Sequence, residues 1–323
     1  MCERSVNSDL EWQSALDLDG LTHRSHFFAA VRNFLSDRGA LEVDVPALGR
    51  YTVTDPYIDS IVTMGVHANG FLQSSPEFFM KRLLASGSGD IFTLGKAFRA
   101  GENGANHNPE FTLLEWYRVG WDEHQLMAEV AELVTFLQPS LGSLTISYRE
   151  AFLRYVGIDP HAATLSELQE LCIEKGADQW AGESRTHCLD LLFNRCVEPR
   201  LPDGLVFLFD YPSCQAALSQ LHRNREGQQV SRRFEVYLNK LELANGYFEL
   251  TDAQEQRRRF QANRVDREAA AKMMPDEDVK FLAAMDAGLP SCAGVALGVD
   301  RLVMQLQGES SMAKVMPFNW SRC

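Results

Sequence analysis

Three stretches of this chain carry residue types that suit phosphate chemistry. The first runs from Phe98-Arg99 to His107-Asn108-Pro109-Glu110-Phe111. An Arg at a strand end supplies a planar fork for phosphate oxygens, and Phe supplies a face on which a base can stack. Read alone, a surface Arg beside a core Phe is the better explanation. The second is Glu235 and Glu242. With Asn239-Lys240 as a two-residue turn, Tyr237 faces Glu242, and Glu235 lies one diagonal away, about 7–8 Å. Two carboxylates there can converge on Mg²⁺, which is held by one or two carboxylates plus substrate phosphates; two exposed strand glutamates are the plainer alternative. Glu249 joins that face only if a bulge near Gly246 shifts the strand parity. The third is Gly294 to Met304. A Gly-rich strand admits close approach of a ligand, and Arg301 falls near the N-terminus of the following helix, where dipole and guanidinium both attract an anion. Tight helix–sheet packing would use the same glycines.

These groups need a scaffold. Phe27, Phe28, Val31, Phe34 and Leu35 recur at helical spacing, and Gly39 stands where a helix end wants positive φ. A short strand, Leu41-Glu42-Val43, then leads toward Pro46. From Phe71 to Trp116 the pattern reads as short strands and turns, with 91–94 and 111–114 flanking a long functional loop. Asp122 with Gln125 and Thr164 with Glu167 form capping boxes for helices. Leu126, Val130, Leu133, Val134 and Leu137 give one buried stripe, and Leu189, Leu192, Phe193 and Cys196 another. Strands follow at 205–209, 233–238 and 241–250, then a charged helix from near Asp252, a linker around Pro275, and a strand-to-helix unit over 294–305. Irregularly alternating strands and helices predict an α+β fold on an antiparallel sheet flanked by helices. The reading divides the chain into a polar extension, 1–22, and one catalytic domain, 23–323.

Composition narrows the classes. The 323 residues are 45% apolar and 23% charged, with a net charge of −13. Such an acidic body disfavours broad contact with a nucleic-acid backbone. Cys2, Cys172, Cys188, Cys196, Cys214, Cys292 and Cys323 form no CxxC pair, and the eight histidines form no HExxH, so neither a disulfide framework nor a zinc site is expected. The first twenty residues contain no apolar run, and a cytoplasmic protein without a membrane span is expected.

In this order, the three stretches resemble the three motifs of class II aminoacyl-tRNA synthetases. The helix, strand and Pro46 resemble the first, Arg99 through Thr112 the second, and Gly298-Val299-Asp300-Arg301 the third. Ser75-Pro76-Glu77 with Lys81-Arg82-Leu83, Arg233-Phe234-Glu235, and Glu242-Leu243-Ala244-Asn245-Gly246 through Ala253 resemble the lysyl branch. The likeness spans about 23–323. A lysyl-tRNA synthetase carries an N-terminal anticodon-reading barrel, for which this chain has some 22 residues, and has Gly where Ala296 stands here. Both features resemble the free-standing members of that branch, which attach β-lysine to a lysine side chain of elongation factor P.

The resemblance implies an ATP-dependent ligase that adenylates (R)-β-lysine or lysine, a homodimer built on the first motif, and no tRNA partner. It implies that Arg99 holds the α-phosphate and substrate carboxylate, and that Arg301 and His107 hold the γ-phosphate end. Phe111 and Arg301 would enclose adenine beside Asn108, with Leu243 and Gly298 also at the nucleotide. Glu235 and Glu242 would hold Mg²⁺. Glu77 would meet the amino group near the carboxyl end, and Tyr117 and Glu249 the distal ammonium. Ser75, Pro76, Glu115, Asn245 and Ala296 would line the pocket. The second motif departs from the family's Arg-Asn-Glu: here it reads Arg99-Ala100-Gly101, with Glu102 one place later, so the usual adenine contact is either shifted to Glu102 or lost. Transfer to tRNA or another small acceptor, and a catalytically dead amino-acid sensor, are the alternatives.

Overall fold

A computed structural model describes residues 12–65, 70–176 and 182–323. Cys2 and the first acidic residues of the expected extension lie outside them. Helix α1 (Leu18–Ser36) is capped by the Asp17 side chain, so it reaches back into residues assigned to that extension. Gly39 takes φ +82°, which ends the helix segment. The strands are β1 (Leu41–Glu42), β2 (Leu48–Gly49), β3 (Val62–Thr63), β4 (Gly70–Leu72), β5 (Ile91–Phe98), β6 (Glu110–Val119), β7 (Ser143–Ser147), β8 (Leu205–Pro212), β9 (Leu221–Arg223), β10 (Gln229–Leu238), β11 (Leu241–Phe248) and β12 (Cys292–Gly298). Between them lie α2 (Glu77–Ala85), α3 (Glu123–Leu137), α4 (Tyr148–Tyr155), α5 (Leu165–Glu174), α6 (Arg185–Leu192), α7 (Ala253–Ala269), α8 (Val279–Gly288) and the final α9 (Val299–Leu306).

Nine strands form one sheet in the order β1-β5-β6-β12-β11-β10-β8-β7, with β9 added on β10. Its central strands are antiparallel, as expected, while the outer pairs β1–β5 and β7–β8 run parallel. Both capping boxes form. Asn239 and Lys240 have φ of 49° and 70°, the two positive values a type I′ hairpin turn requires.

One face of the sheet is the main core: Phe92, Leu114, Trp116, Leu243, Val236 and Val295 pack there against α1, α3 and α9. Alternation turns their strand neighbours to the other face, which carries the site. A second core under α4–α6 includes Tyr148, Leu189, Leu208 and Tyr237 and covers one end of that face. The stretch from Phe71 to Trp116 corrects the strand-and-turn expectation, because it contains α2. That helix follows Pro76 and has no side-chain cap, so the usual start signal is missing. The hairpin strands β5 and β6 also extend further toward the loop than 91–94 and 111–114. No helix among the described residues is long and apolar enough to cross a membrane.

Candidate active site

The site face begins with the β5–β6 loop. Arg99 leaves the end of β5, its amide bonded to Pro109 O at 2.9 Å, and its guanidinium lies 5.1 Å from the Phe111 ring centre. Glu102 stands 3.6 Å from the same guanidinium, so the carboxylate of the altered second motif sits beside Arg99. Asn108 spends its amide on the loop itself: it donates to Glu110 O at 2.6 Å and accepts from the Trp320 amide at 2.9 Å. That makes it an organiser of the loop.

Arg301 closes over this loop from the first turn of α9. It donates to Asn106 O, to Glu242 O at 2.9 Å and to His107 Nε2 at 2.7 Å. Burial and the Arg301 charge hold His107 below the ordinary imidazole range, so it accepts that bond as a neutral ring. Gly298 precedes the helix, and a Cβ there would meet only the Leu243 carbonyl and the Arg301 stem at 3.7–3.9 Å. The Leu243 side chain is in the main core, so what Leu243 offers the site is that carbonyl.

Glu235 and Glu242 do share a face. Tyr237 pairs with Glu242, but Val236 pairs with Ala244, so Leu243 is an extra residue in β11. The bulge therefore lies three residues before Gly246, where the sequence placed it. Its effect is the expected one: Glu242 and Asn245 face the same way, and alternation carries Tyr247 and Glu249 with them. Glu235 pairs with Arg233 and accepts from the Tyr237 hydroxyl. Both carboxylates border a cavity of about 160 Å³, shared with Asp190, Glu198 and Arg233. Burial and the Glu235 charge raise Glu242 to about 7, against the pull of Arg301, Arg233 and Arg99. Two hard oxygen donors whose repulsion the nearby arginines offset only in part suit a divalent cation.

Further along the same face is a second pocket. Ser75 and Pro76 precede α2, and Glu77 opens it. Lys81, one turn on, is fully buried and pairs with Glu77 and with Glu249, each at 2.6 Å. Tyr117 donates to Glu115 at 2.6 Å, and Asn245 donates to the Tyr247 hydroxyl at 2.9 Å. Burial, together with the Glu77 charge, holds Glu115 well above the carboxylate range, and burial raises Glu249 to about 7 although Lys81 opposes it. Gly294 is required here: a Cβ would run into the Tyr117 ring and the Glu249 carboxylate. Ala296, in register with Asn245 and Glu115, sits half-buried between their strands.

Arg99, His107, Phe111, Glu235, Glu242 and Arg301 thus gather at one end of the face, with Glu77, Glu115, Tyr117, Asn245 and Glu249 beside them. Sequence reasoning gave no role to Lys81 or Arg233, although both were quoted as motif residues. Arg233 was findable, two places before Glu235 on a strand and hence on its face. Lys81 was findable only once α2 is recognised, since i and i+4 then meet.

The chain matches the family of class II tRNA synthetases (D, K and N) over residues 17–322. It is 42% identical over 323 residues to the elongation factor P–(R)-β-lysine ligase of Photorhabdus laumondii, covering 97% of this chain and 99% of that one. The enzyme of that name from Salmonella typhi is 42% identical over 96% of this chain and 98% of its own length. That from Hamiltonella defensa is 40% identical over 95% and 97%. With residues of the second and third motifs gathered at one site and this match across nearly the whole chain, the chain belongs to the class II tRNA synthetase family, in its aspartyl, lysyl and asparaginyl branch.

Proposed function

We propose that this protein activates (R)-β-lysine, or lysine, with ATP and passes it to a lysine side chain of elongation factor P. One observation carries the reading: a single sheet face holds an anion grip, Arg99 with Arg301, next to a pocket of three carboxylates, Glu77, Glu115 and Glu249. A triphosphate suits the first and a diamino acid the second, since buried carboxylates need cations to offset them. The relatives named above carry this activity in their names.

In the first step the amino-acid carboxylate attacks the α-phosphorus and pyrophosphate leaves, giving the acyl-adenylate. Arg99 offsets charge at the α-phosphate, and Arg301 with neutral His107 offsets it at the far end, so positioning and electrostatics supply the rate. Phe111 and the Arg301 plane enclose the adenine, and Glu102 takes the recognition role its displaced position leaves to it. Glu235 and Glu242 would hold Mg²⁺, which when bound neutralises phosphate charge. In the second step the neutral lysine amine of the acceptor attacks the adenylate carbonyl, an amide forms and AMP leaves. No side-chain nucleophile is needed.

We place α1 and the residues after it in one catalytic domain, and the protein in the cytoplasm without a tRNA partner. The exposed Leu41 and Leu48 adjoin a hollow of about 470 Å³ lined by Val43, Val45 and Pro46, a surface suited to a second copy in a homodimer. The test is ATP–pyrophosphate exchange with β-lysine, α-lysine and ornithine in the absence of tRNA, followed by mass analysis of elongation factor P incubated with enzyme, ATP and β-lysine. Exchange and a β-lysyl mass gain support the reading; no exchange with any of the three rejects it.

A further inference from the structure

Lys81 is the anomaly of the amino-acid pocket. Its side chain is 1% exposed, and its ammonium touches Glu77 and Glu249 at 2.6 Å each. Those are the carboxylates that the proposed function assigns to the two ammonium groups of the substrate. A fixed cation thus already stands between the two anions meant for mobile ones. The charge count is informative. From α2 the pocket receives Glu77 and Lys81, from β6 Glu115 and Tyr117, and from β11 and the residue after it Tyr247 and Glu249. The Cys292 thiol of β12 is pushed up by burial, out of reach of ionisation near neutrality, and burial does the same to both tyrosines. With every carboxylate ionised, three negative charges face one positive.

We infer that Lys81 is a built-in third cation that spaces Glu77 from Glu249 and fixes the pocket's demand at two further positive charges, so that the enzyme selects amino acids with two ammonium groups at a set separation. Lys81 is therefore a positioning residue for specificity. It touches no reacting atom, and it acts through the two carboxylates that do meet substrate. Two substrate ammonium groups bring the pocket to neutrality with all three carboxylates ionised, whereas a monoamine leaves one buried negative charge unmatched, which water-free surroundings penalise heavily. In the ligand-free pocket the same excess is relieved by protons on Glu115 and Glu249, which binding must expel. The inference rests on the proposed function and refines it.

The test begins with wild-type protein and three compounds in pyrophosphate exchange: β-lysine, 3-aminohexanoic acid and 6-aminohexanoic acid, which each lack one of its amines. Both monoamines should show kcat/KM lower by 100-fold or more, and use of either within tenfold of β-lysine would overturn the inference. Calorimetric titration of wild type with β-lysine, in buffers of different ionisation heat near pH 7, should show proton release; no buffer dependence would also overturn it. Lys81→Met should raise KM for β-lysine at least tenfold with kcat within about threefold, and should narrow the preference for β-lysine over the shorter ornithine. Lys81→Arg, which keeps the charge, should recover part of the preference. A folded Lys81→Met enzyme with wild-type KM and preference would refute the spacer role while leaving the proposed function intact. A wild type that activates no diamino acid would remove the proposed function, and this inference with it.

Discussion

Asp300, the second residue of α9, accepts the Thr112 amide of β6 at 2.6 Å and also pairs with Arg24 of α1, so one buried carboxylate ties together all three motif regions. Thr112 is the residue after Phe111, and Arg301 is the residue after Asp300. The bond therefore fixes the Phe111 ring and the Arg301 guanidinium relative to one another.

Asp300→Asn should cost about 3–5 kcal/mol, because it leaves Arg24 charged and unmatched in the interior. Urea unfolding monitored by circular dichroism measures this. An unfolding midpoint equal to wild type would mean that the pair contributes nothing net.

Glu242→Gln should reduce pyrophosphate exchange by 100-fold or more with little loss of stability, since it removes a carboxylate that repels Glu235. Glu235→Gln is the less clean probe. It strips the partner from Arg233, whose burial makes the loss expensive, so activity and stability should fall together. Magnesium titrations of exchange should show a raised requirement in the Glu242 variant. Wild-type magnesium dependence there would exclude Glu242 as a ligand.

The pH dependence follows from the same crowding. Glu242 and Glu249 stand at about 7 in the folded protein against 4.5 as free groups. A carboxylate raised on folding contributes stability that is fully present below its unfolded value and is lost as pH rises through the folded one. Ligand-free protein should therefore lose about 1–3 kcal/mol from each of these groups between about pH 5 and pH 8. β-Lysine should restore the part that belongs to Glu249, and Glu242→Gln should flatten the slope. Melting curves across that range with and without β-lysine test it, and parallel slopes for wild type and variant would contradict it.

Gly294→Ala should disable the amino-acid pocket, because its methyl would occupy space held by Tyr117 and Glu249. A stability loss of about 1–3 kcal/mol is expected from the forced rearrangement, together with a large rise in KM for the amino acid. Gly298→Ala meets only ordinary contacts and should fold normally, with its effect confined to KM for ATP. Ala296→Gly should change the ratio of α-lysine to β-lysine use by about 10–200-fold, the range one methyl group commands in a substrate pocket. An unchanged ratio would remove Ala296 from the determinants of specificity.

Much of this arrangement was readable because its signals are local. The capping boxes at Asp122 and Thr164 and the Asn239-Lys240 turn state their geometry in neighbouring residues. What escaped depends on tertiary context. Helix α2 has no side-chain cap and buries a lysine on the face where a pattern search looks for apolar residues. A lysine seldom enters a core, so nothing local marks Lys81 as buried. The bulge required for Glu249 to share the site was expected near Gly246 and falls at Leu243. A Leu fits at the bulge here because its side chain still reaches the core while the strand gains its extra residue. The fold class and the grouping of Arg99, Glu235, Glu242 and Arg301 thus came from pattern, and the internal charge balance of the pocket only from packing.

That extra residue at Leu243 has a wider consequence. In the proposed function Glu242 serves the nucleotide half of the reaction and Asn245 and Glu249 the amino-acid half, and an odd step along β11 separates the two sets. Deleting Leu243 would preserve every other side chain and most of the sheet, yet turn one half-site to the back of the molecule. The ability to join two substrates is, in this protein, a matter of counting: the strand must be one residue too long.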